Sequence, residues 1–188
     1  MKRILRLNIF IWFCGYKFIA RCQACHKGKD LKMIEKAQQL VNKLIEKGYH
    51  ISCAESCAGG KVTAAIVDVA DASKVLNASI VTYSNEAKMH YLNVSDSTLE
   101  QYGAVSEETA YKMAKGIANA NQAEVGVGVT GIAGPGGGTK EKPVGMVCFG
   151  FYINGEVTTV TKQFGEIGRN EVRDASVEFV LDKLLEML

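Results

Sequence analysis

Proline is almost missing from this sequence, with two in 188 residues, and tryptophan occurs once. A surplus of either charge is also missing: 22 Lys/Arg against 20 Asp/Glu leave a formal net charge of +2. So little proline, with 22% charged and 47% hydrophobic residues, excludes a disordered chain and fits one globular domain with a full-sized core. There is no uninterrupted apolar run of about 18 residues, so the body carries no candidate transmembrane span. No internal repeat and no linker divides it. The small net charge hides an asymmetry. Residues 1–30 hold seven Lys/Arg and one acid, a balance of +6, which leaves residues 31–188 at −4. A mildly acidic body lacks the basic footprint that general nucleic-acid binding requires.

The first 30 residues stand apart. Met1–Arg6 is basic and Leu7–Phe13 apolar, but Lys17 interrupts the pattern and no small-x-small cleavage site follows. Cys22-Gln-Ala-Cys25-His26 has the spacing of c-type haem attachment, with no cytochrome-like domain beside it. We read residues 1–30 as a poorly specified extension, with Met33 as the functional start, and residues 31–188 as the folded domain. Cys14, Cys53, Cys57 and Cys148 show no metal spacing. Cys53 and Cys148 sit in apolar runs and are expected to be reduced core residues.

The body alternates helix and strand signals. Apolar residues at helical spacing run from Leu31 to Lys47, and Gly48 is a stop. A strand is predicted over His50–Ala54, then a turn, then a helix to about Val69. A second strand, Ala78–Tyr83, meets the cap pair Ser84-Asn85 before a helix opening at Glu86. Ser106-Glu107-Glu108 opens another helix, and Val125–Ile132 reads as a buried third strand. Gly145–Ile153 and Val157–Phe164 are joined by Asn154-Gly155, a hairpin signal, and Asn170–Leu188 is a closing helix. Such alternation predicts an α/β domain with helices on both faces of one sheet. The hairpin makes the sheet mixed. Ligands in such sheets bind beyond the carboxyl ends of the parallel strands, where the three glycine- and serine-rich loops lie.

Two motifs mislead. Gly126-Val-Gly128-Val-Thr-Gly131 satisfies G-x-G-x-x-G but lies inside the third strand rather than at a strand-to-helix turn. The run from Gly131 to Gly138 begins like a phosphate-binding P-loop, but glycines stand at its Lys and Ser/Thr positions. Asn77-Ala-Ser79 and Asn93-Val-Ser95 are sequons by chance if the protein is cytoplasmic, as expected. The glycine cluster remains informative, because it exposes peptide N–H groups at a strand's end to a phosphate or carboxamide. Ser56 falls at a strand-to-helix turn with Gly59 and Gly60 beside it. It suits either a helix cap or a nucleophile facing oriented backbone donors. A nucleophilic serine needs a base, and His26, His50 and His90 form no Ser-His-Asp pattern. Lys88 lies near a helix start, where the dipole and burial would lower its pKa. Tyr83, just before that helix, suits a proton relay or a prop for the lysine. A surface lysine and a rim tyrosine are the plainer alternatives.

Five stretches together resemble one family: Ala54-Glu-Ser-Cys-Ala-Gly-Gly60, Val81-Thr-Tyr-Ser-Asn-Glu-Ala-Lys88, Gly103-Ala-Val-Ser-Glu-Glu108, Val129-Thr-Gly-Ile-Ala-Gly-Pro-Gly-Gly-Gly138 and Lys142-Pro-Val-Gly145. In order, over residues 33–188, they resemble the CinA C-terminal domain family, the nicotinamide-nucleotide amidohydrolases. The resemblance implies a three-layer α/β/α sandwich with a mixed five-stranded sheet. It implies hydrolysis of nicotinamide mononucleotide to nicotinic acid mononucleotide and ammonia, as part of pyridine nucleotide salvage. It places the catalytic serine, tyrosine and lysine on Ser56, Tyr83 and Lys88, and a functional threonine on Thr130. The family's late arginine motif resembles Gly168-Arg-Asn-Glu-Val-Arg173. Two residues depart from the pattern: Ala58 where threonine is usual, and Asp71 where glycine is usual.

The combined expectation is a Ser–Lys amidohydrolase. Ser56, Tyr83 and Lys88 do the chemistry. Backbone groups at Cys57, Gly59 and Gly60 hold the oxyanion. Thr130, Gly131, Gly134, Gly136, Gly137, Arg169 and Arg173 bind a small-molecule nucleotide. No metal, cofactor, nucleic acid or membrane is expected, and a homo-oligomer is left open. The competing expectation is a non-catalytic interaction protein of the same fold, associated with competence or DNA damage.

Overall fold

The computed structural model describes the backbone of residues 23–188, with side chains from residue 31 onward. The haem-like Cys22–His26 pattern and the reading of residues 1–30 as an extension lie outside the described side chains. The chain forms a mixed five-stranded sheet between two layers of helices. In order these are α1 (Gln23–Lys47), β1 (Ile51–Glu55), α2 (Lys61–Val67), β2 (Leu76–Val81), α3 (Asn85–Leu92), α4 (Asp96–Tyr102), α5 (Glu107–Asn121), β3 (Val125–Gly131), β4 (Met146–Ile153), β5 (Glu156–Gln163) and α6 (Arg169–Met187). A short 3₁₀ turn, Ala72–Lys74, precedes β2.

The strand order is β2-β1-β3-β4-β5. β2, β1 and β3 are parallel, and β4 is antiparallel to both β3 and β5. The carboxyl ends of β1, β2, β3 and β5 therefore share one edge of the sheet. The chain leaves β1 towards β2 and returns on the other side as β3, so that edge contains a topological switch point.

Each face is built differently. Val125, Val127 and Val129 of β3 join Phe149 and Phe151 of β4 in a core covered by α1, α2 and α6. Phe179 of α6 packs there on Phe149, with ring centroids 4.7 Å apart. The alternate residues of the same strands are Gly126, Gly128 and Gly150, and α5 lies directly on them. A Cβ added at Gly128 would stand 2.5 Å from the Ala110 carbonyl oxygen and 2.7 Å from the Ala114 nitrogen. Gly126 and Gly150 would meet the Ala114 and Ala110 carbonyls in the same way. The G-x-G-x-x-G spelling is thus a helix-packing seam, as its place inside the strand suggested.

Differences from the sequence reading are local. α1 begins earlier than Leu31. β2 lies two residues upstream of the predicted strand, because Thr82 N–H donates to the Glu55 carbonyl as the last rung and Tyr83 turns away. α4 was not foreseen. Asp71 sits at φ 66°, so the turn there does use the left-handed region that glycine favours. Cys53, Cys57 and Cys148 are free thiols in the core. Among the described residues no helix is long and apolar enough to cross a membrane.

Candidate active site

Ser56 follows the last residue of β1. Its N–H donates to the Val129 carbonyl at 2.8 Å, which pins the residue to β3. The chain then turns back through Gly59 (φ 61°) and Gly60 (φ 89°) into α2. Neither glycine leaves its N–H open for an oxyanion. Gly59 donates to the Ser56 carbonyl at 3.1 Å, and Gly60 donates to the Glu55 carboxylate at 2.8 Å. That corrects the expectation for these two residues. No backbone acceptor takes the N–H groups of Cys57 and Ala58 among the described residues. Both lie where they would favour a Cys57 thiolate, although burial pushes that thiol up to about 12.

Lys88 reaches Ser56 from α3. Ser84 caps this helix by accepting from Ala87 N–H at 3.1 Å, which sets the position of its first turns. Lys88 is 1% exposed. Its Nζ lies 3.3 Å from Ser56 Oγ and donates to the Thr82 carbonyl at 2.9 Å. Burial pushes the amine below the ordinary lysine range, and the charges of Cys57 and Glu86 oppose that shift. The structure therefore joins the predicted serine and lysine in one half-buried contact.

Of the readings the sequence left open for Tyr83, its position fits the rim tyrosine. It is 65% exposed, and its hydroxyl accepts from Arg169 Nη2 at 3.0 Å. Arg169 Nη1 donates to the Gly134 carbonyl at 2.8 Å. Arg169 thus bridges the end of β2 and the glycine loop across the mouth of the site. Arg173, one turn further along α6, turns to the Ser56–Gly60 loop. Its Nε and Nη2 donate to the Ala58 carbonyl at 3.2 and 3.0 Å, and Nη1 donates to Asn170 Oδ1 at 3.2 Å. The expected role of Arg173 in substrate binding has no support in this geometry.

The glycine loop divides by function. Gly131 keeps β3 against β4, since a Cβ there would lie 2.7 Å from the Met146 carbonyl oxygen. Gly134 (φ 82°) packs on Val144, and Gly138 also lies against Val144. Gly136 and Gly137 instead face open space: a Cβ on Gly136 would meet nothing within 4 Å, and on Gly137 only Ile132 at 3.8 Å. Thr130 is 1% exposed and donates to the Ala104 carbonyl at 2.7 Å, tying the loop before α5 to β3.

One residue had no role in the sequence reading although its motif was quoted. Glu55 is 1% exposed and faces the start of α2. Its Oε2 accepts from Gly60 N–H (2.8 Å) and Val62 N–H (3.2 Å), and its Oε1 accepts from Thr63 N–H (2.9 Å) and Thr63 Oγ1 (2.7 Å). An acid ending an apolar strand just before a Gly-Gly turn was the available signal. Among the described residues there is no cluster of metal-ligating side chains. A separate hollow lies at the other edge of the sheet, lined by Gln122, Glu124, Tyr152 and Asn154, and holds none of the predicted site residues.

The model of the CinA C-terminal domain matches residues 33–188. A CinA-like protein of Kosmotoga olearia is 50% identical over 143 residues, covering 76% of this chain and 34% of the relative. A CinA-like protein of Dictyoglomus turgidum is 52% identical over 119 residues, covering 63% of this chain and 29% of the relative. The chain thus spans about a third of the length of the curated relatives it matches. Among solved structures, the competence/damage inducible protein CihA from Agrobacterium tumefaciens superposes with a TM-score of 0.80 at 41% identity, covering 82% of this chain and 94% of that one. A competence-damaged protein (CinA) superfamily member from Escherichia coli gives 0.80 at 36% identity, covering 83% and 90%.

Proposed function

On the premise that this chain belongs to the CinA C-terminal domain family, we propose that it is a serine amidohydrolase acting on nicotinamide mononucleotide. The observation that carries the reading is the contact between the buried Lys88 Nζ and the half-buried Ser56 Oγ. A neutral lysine amine has one lone pair. With one N–H directed to the Thr82 carbonyl, the lone pair can accept the Ser56 hydroxyl proton. Burial lowers the lysine pKa and so raises the share of enzyme in that state at neutral pH.

The steps follow from these positions. Ser56 Oγ attacks the carboxamide carbon as its proton passes to Lys88. The N–H groups of Cys57 and Ala58 are the donors available to the developing oxyanion. The Lys88 ammonium returns the proton to the leaving nitrogen, which departs as ammonia. Water then attacks the acyl-serine, with Lys88 again taking a proton, and nicotinic acid mononucleotide is released. Arg169 offers charge for the phosphate at the mouth, and Gly136 and Gly137 give it room to approach.

The test is ammonia release from nicotinamide mononucleotide by the purified full chain. Wild-type protein is expected to form ammonia and nicotinic acid mononucleotide in equal amounts, and folded Ser56→Ala to form neither. Normal turnover by folded Ser56→Ala would remove Ser56 from the chemistry. Absence of turnover in wild type would instead favour a binding module, in keeping with relatives whose names mention competence and damage and no reaction.

A further inference from the structure

We infer that Arg173 is a positioning residue that sets the nucleophile loop from α6, rather than a ligand for substrate; the inference rests on the serine-hydrolase reading of the site. The loop from Ser56 to Gly60 is anchored at both ends. Ser56 N–H is fixed to the Val129 carbonyl, and Gly60 N–H to the Glu55 carboxylate. Between these anchors stand Cys57 and Ala58, whose N–H groups have no backbone acceptor among the described residues. Two internal bonds close the turn, Gly59 N–H to the Ser56 carbonyl and Lys61 N–H to the Ala58 carbonyl, and the second is long at 3.4 Å.

Arg173 supplies the remaining constraint. Two N–H groups of its planar guanidinium converge on the Ala58 carbonyl, so that oxygen is held in direction as well as distance. Asn170 takes a third N–H and fixes the plane from within α6. The guanidinium also covers Gly59: a Cβ there would lie 3.2 Å from Nη2. The Ala58 carbonyl and the Gly59 N–H lie in one peptide plane, so the fork on that oxygen also fixes the N–H that Gly59 donates to the Ser56 carbonyl. Arg173 therefore holds the turn closed on the Ser56 carbonyl, without touching the reacting atoms. Ala58 has no side-chain oxygen to help hold the turn, so this contact comes from outside the loop.

The experiment separates positioning from substrate binding and from stability. Three variants, Arg173→Met, Arg173→Lys and Asn170→Ala, are compared with the full wild-type chain. Each is measured for kcat and KM on nicotinamide mononucleotide, for the rate at which a fluorophosphonate labels Ser56 with loss of fluoride, and for Tm. The fluorophosphonate carries neither nicotinamide nor ribose phosphate. Its reaction therefore reports the loop alone, whatever the natural substrate. For Arg173→Met, kcat and the labelling rate are expected to fall together by about 10²-fold, the loss typical of a misplaced reacting group, while KM stays within about threefold. Arg173→Lys should recover part of both rates, and Asn170→Ala should lose less of both. A raised KM with unchanged labelling would overturn the inference and return Arg173 to the substrate. A lower Tm with normal labelling per folded molecule would overturn it too, as would a wild-type chain whose Ser56 takes no label. Wild type that labels at Ser56 but does not hydrolyse the nucleotide would sink the proposed substrate, while the labelling rates would still decide the role of Arg173.

Discussion

Glu55→Gln should destabilise the fold although it changes neither shape nor volume. The carboxylate meets four donors, two on each oxygen. A glutamine has one carbonyl oxygen and one NH₂ group, and its best orientation follows from the donor list. The NH₂ must go to the Oε1 side, because Thr63 Oγ1 can rotate to accept from it, whereas Gly60 N–H and Val62 N–H can only donate. Thr63 N–H then faces another donor and loses its partner in a buried position, at a cost of about 1–3 kcal/mol. The two bonds kept at Oε2 also change from charged to neutral, which weakens each. The sum is about 2–4 kcal/mol, or a fall in Tm of roughly 5–15 °C for a chain of this size. Thermal unfolding followed by circular dichroism measures it. A Glu55→Gln protein melting within about 2 °C of wild type would refute the reasoning, and would mean that the start of α2 does not depend on the carboxylate.

Lys88→Met should abolish amide hydrolysis without lowering Tm, because an apolar side chain of similar length suits the buried site better than an amine; a lower Tm would contradict the cost assigned to burial. For wild type, the acylation rate should rise with pH through an ionisation below the ordinary lysine range. Between its lowered value in the folded protein and the unfolded value of 10.5 the unfolded chain binds more protons at this position, so Lys88's penalty on stability should shrink as pH rises through that window; an acylation profile flat from pH 6 to 10 would exclude it as the base. Asp71→Val should cost about 1–2 kcal/mol in denaturant unfolding despite an exposed side chain, and Asp71→Gly close to nothing, because φ 66° is strained for a β-branched residue. Gly128→Ala should cost about 3 kcal/mol or lower expression outright, while Gly136→Ala should leave Tm unmoved; equal effects of the two would contradict the packing assigned to the α5 seam.

The sequence was readable wherever a local rule decides the outcome. Ser84 and Ser106 both accept the backbone N–H that a cap demands. Asn154 and Gly155 adopt φ 48° and 103° in the hairpin turn. The nucleophile and lysine stretches end neighbouring parallel strands, so their meeting followed once the sheet order was known. What stayed hidden depends on what lies opposite in space. Glycines at Gly128 and Gly136 look alike in a string, yet one faces the backbone of α5 and the other open space. Arg169 and Arg173 lie four residues apart on one helix and meet different partners, one across the mouth and one on the nucleophile loop. Glu55 was passed over because its partners are peptide N–H groups, which no residue pattern spells out.

The reversal of direction at β4 has a practical consequence. Since β5 runs parallel to β3, it delivers the start of α6 to the mouth of the site, and the 19-residue helix then runs away along the core. At 1.5 Å per residue its far end lies about 28 Å from Arg169. A fusion partner, biotin tag or surface tether joined after Leu188 would therefore stand clear of the opening. Immobilised through that end, the protein would present its reactive edge to solution.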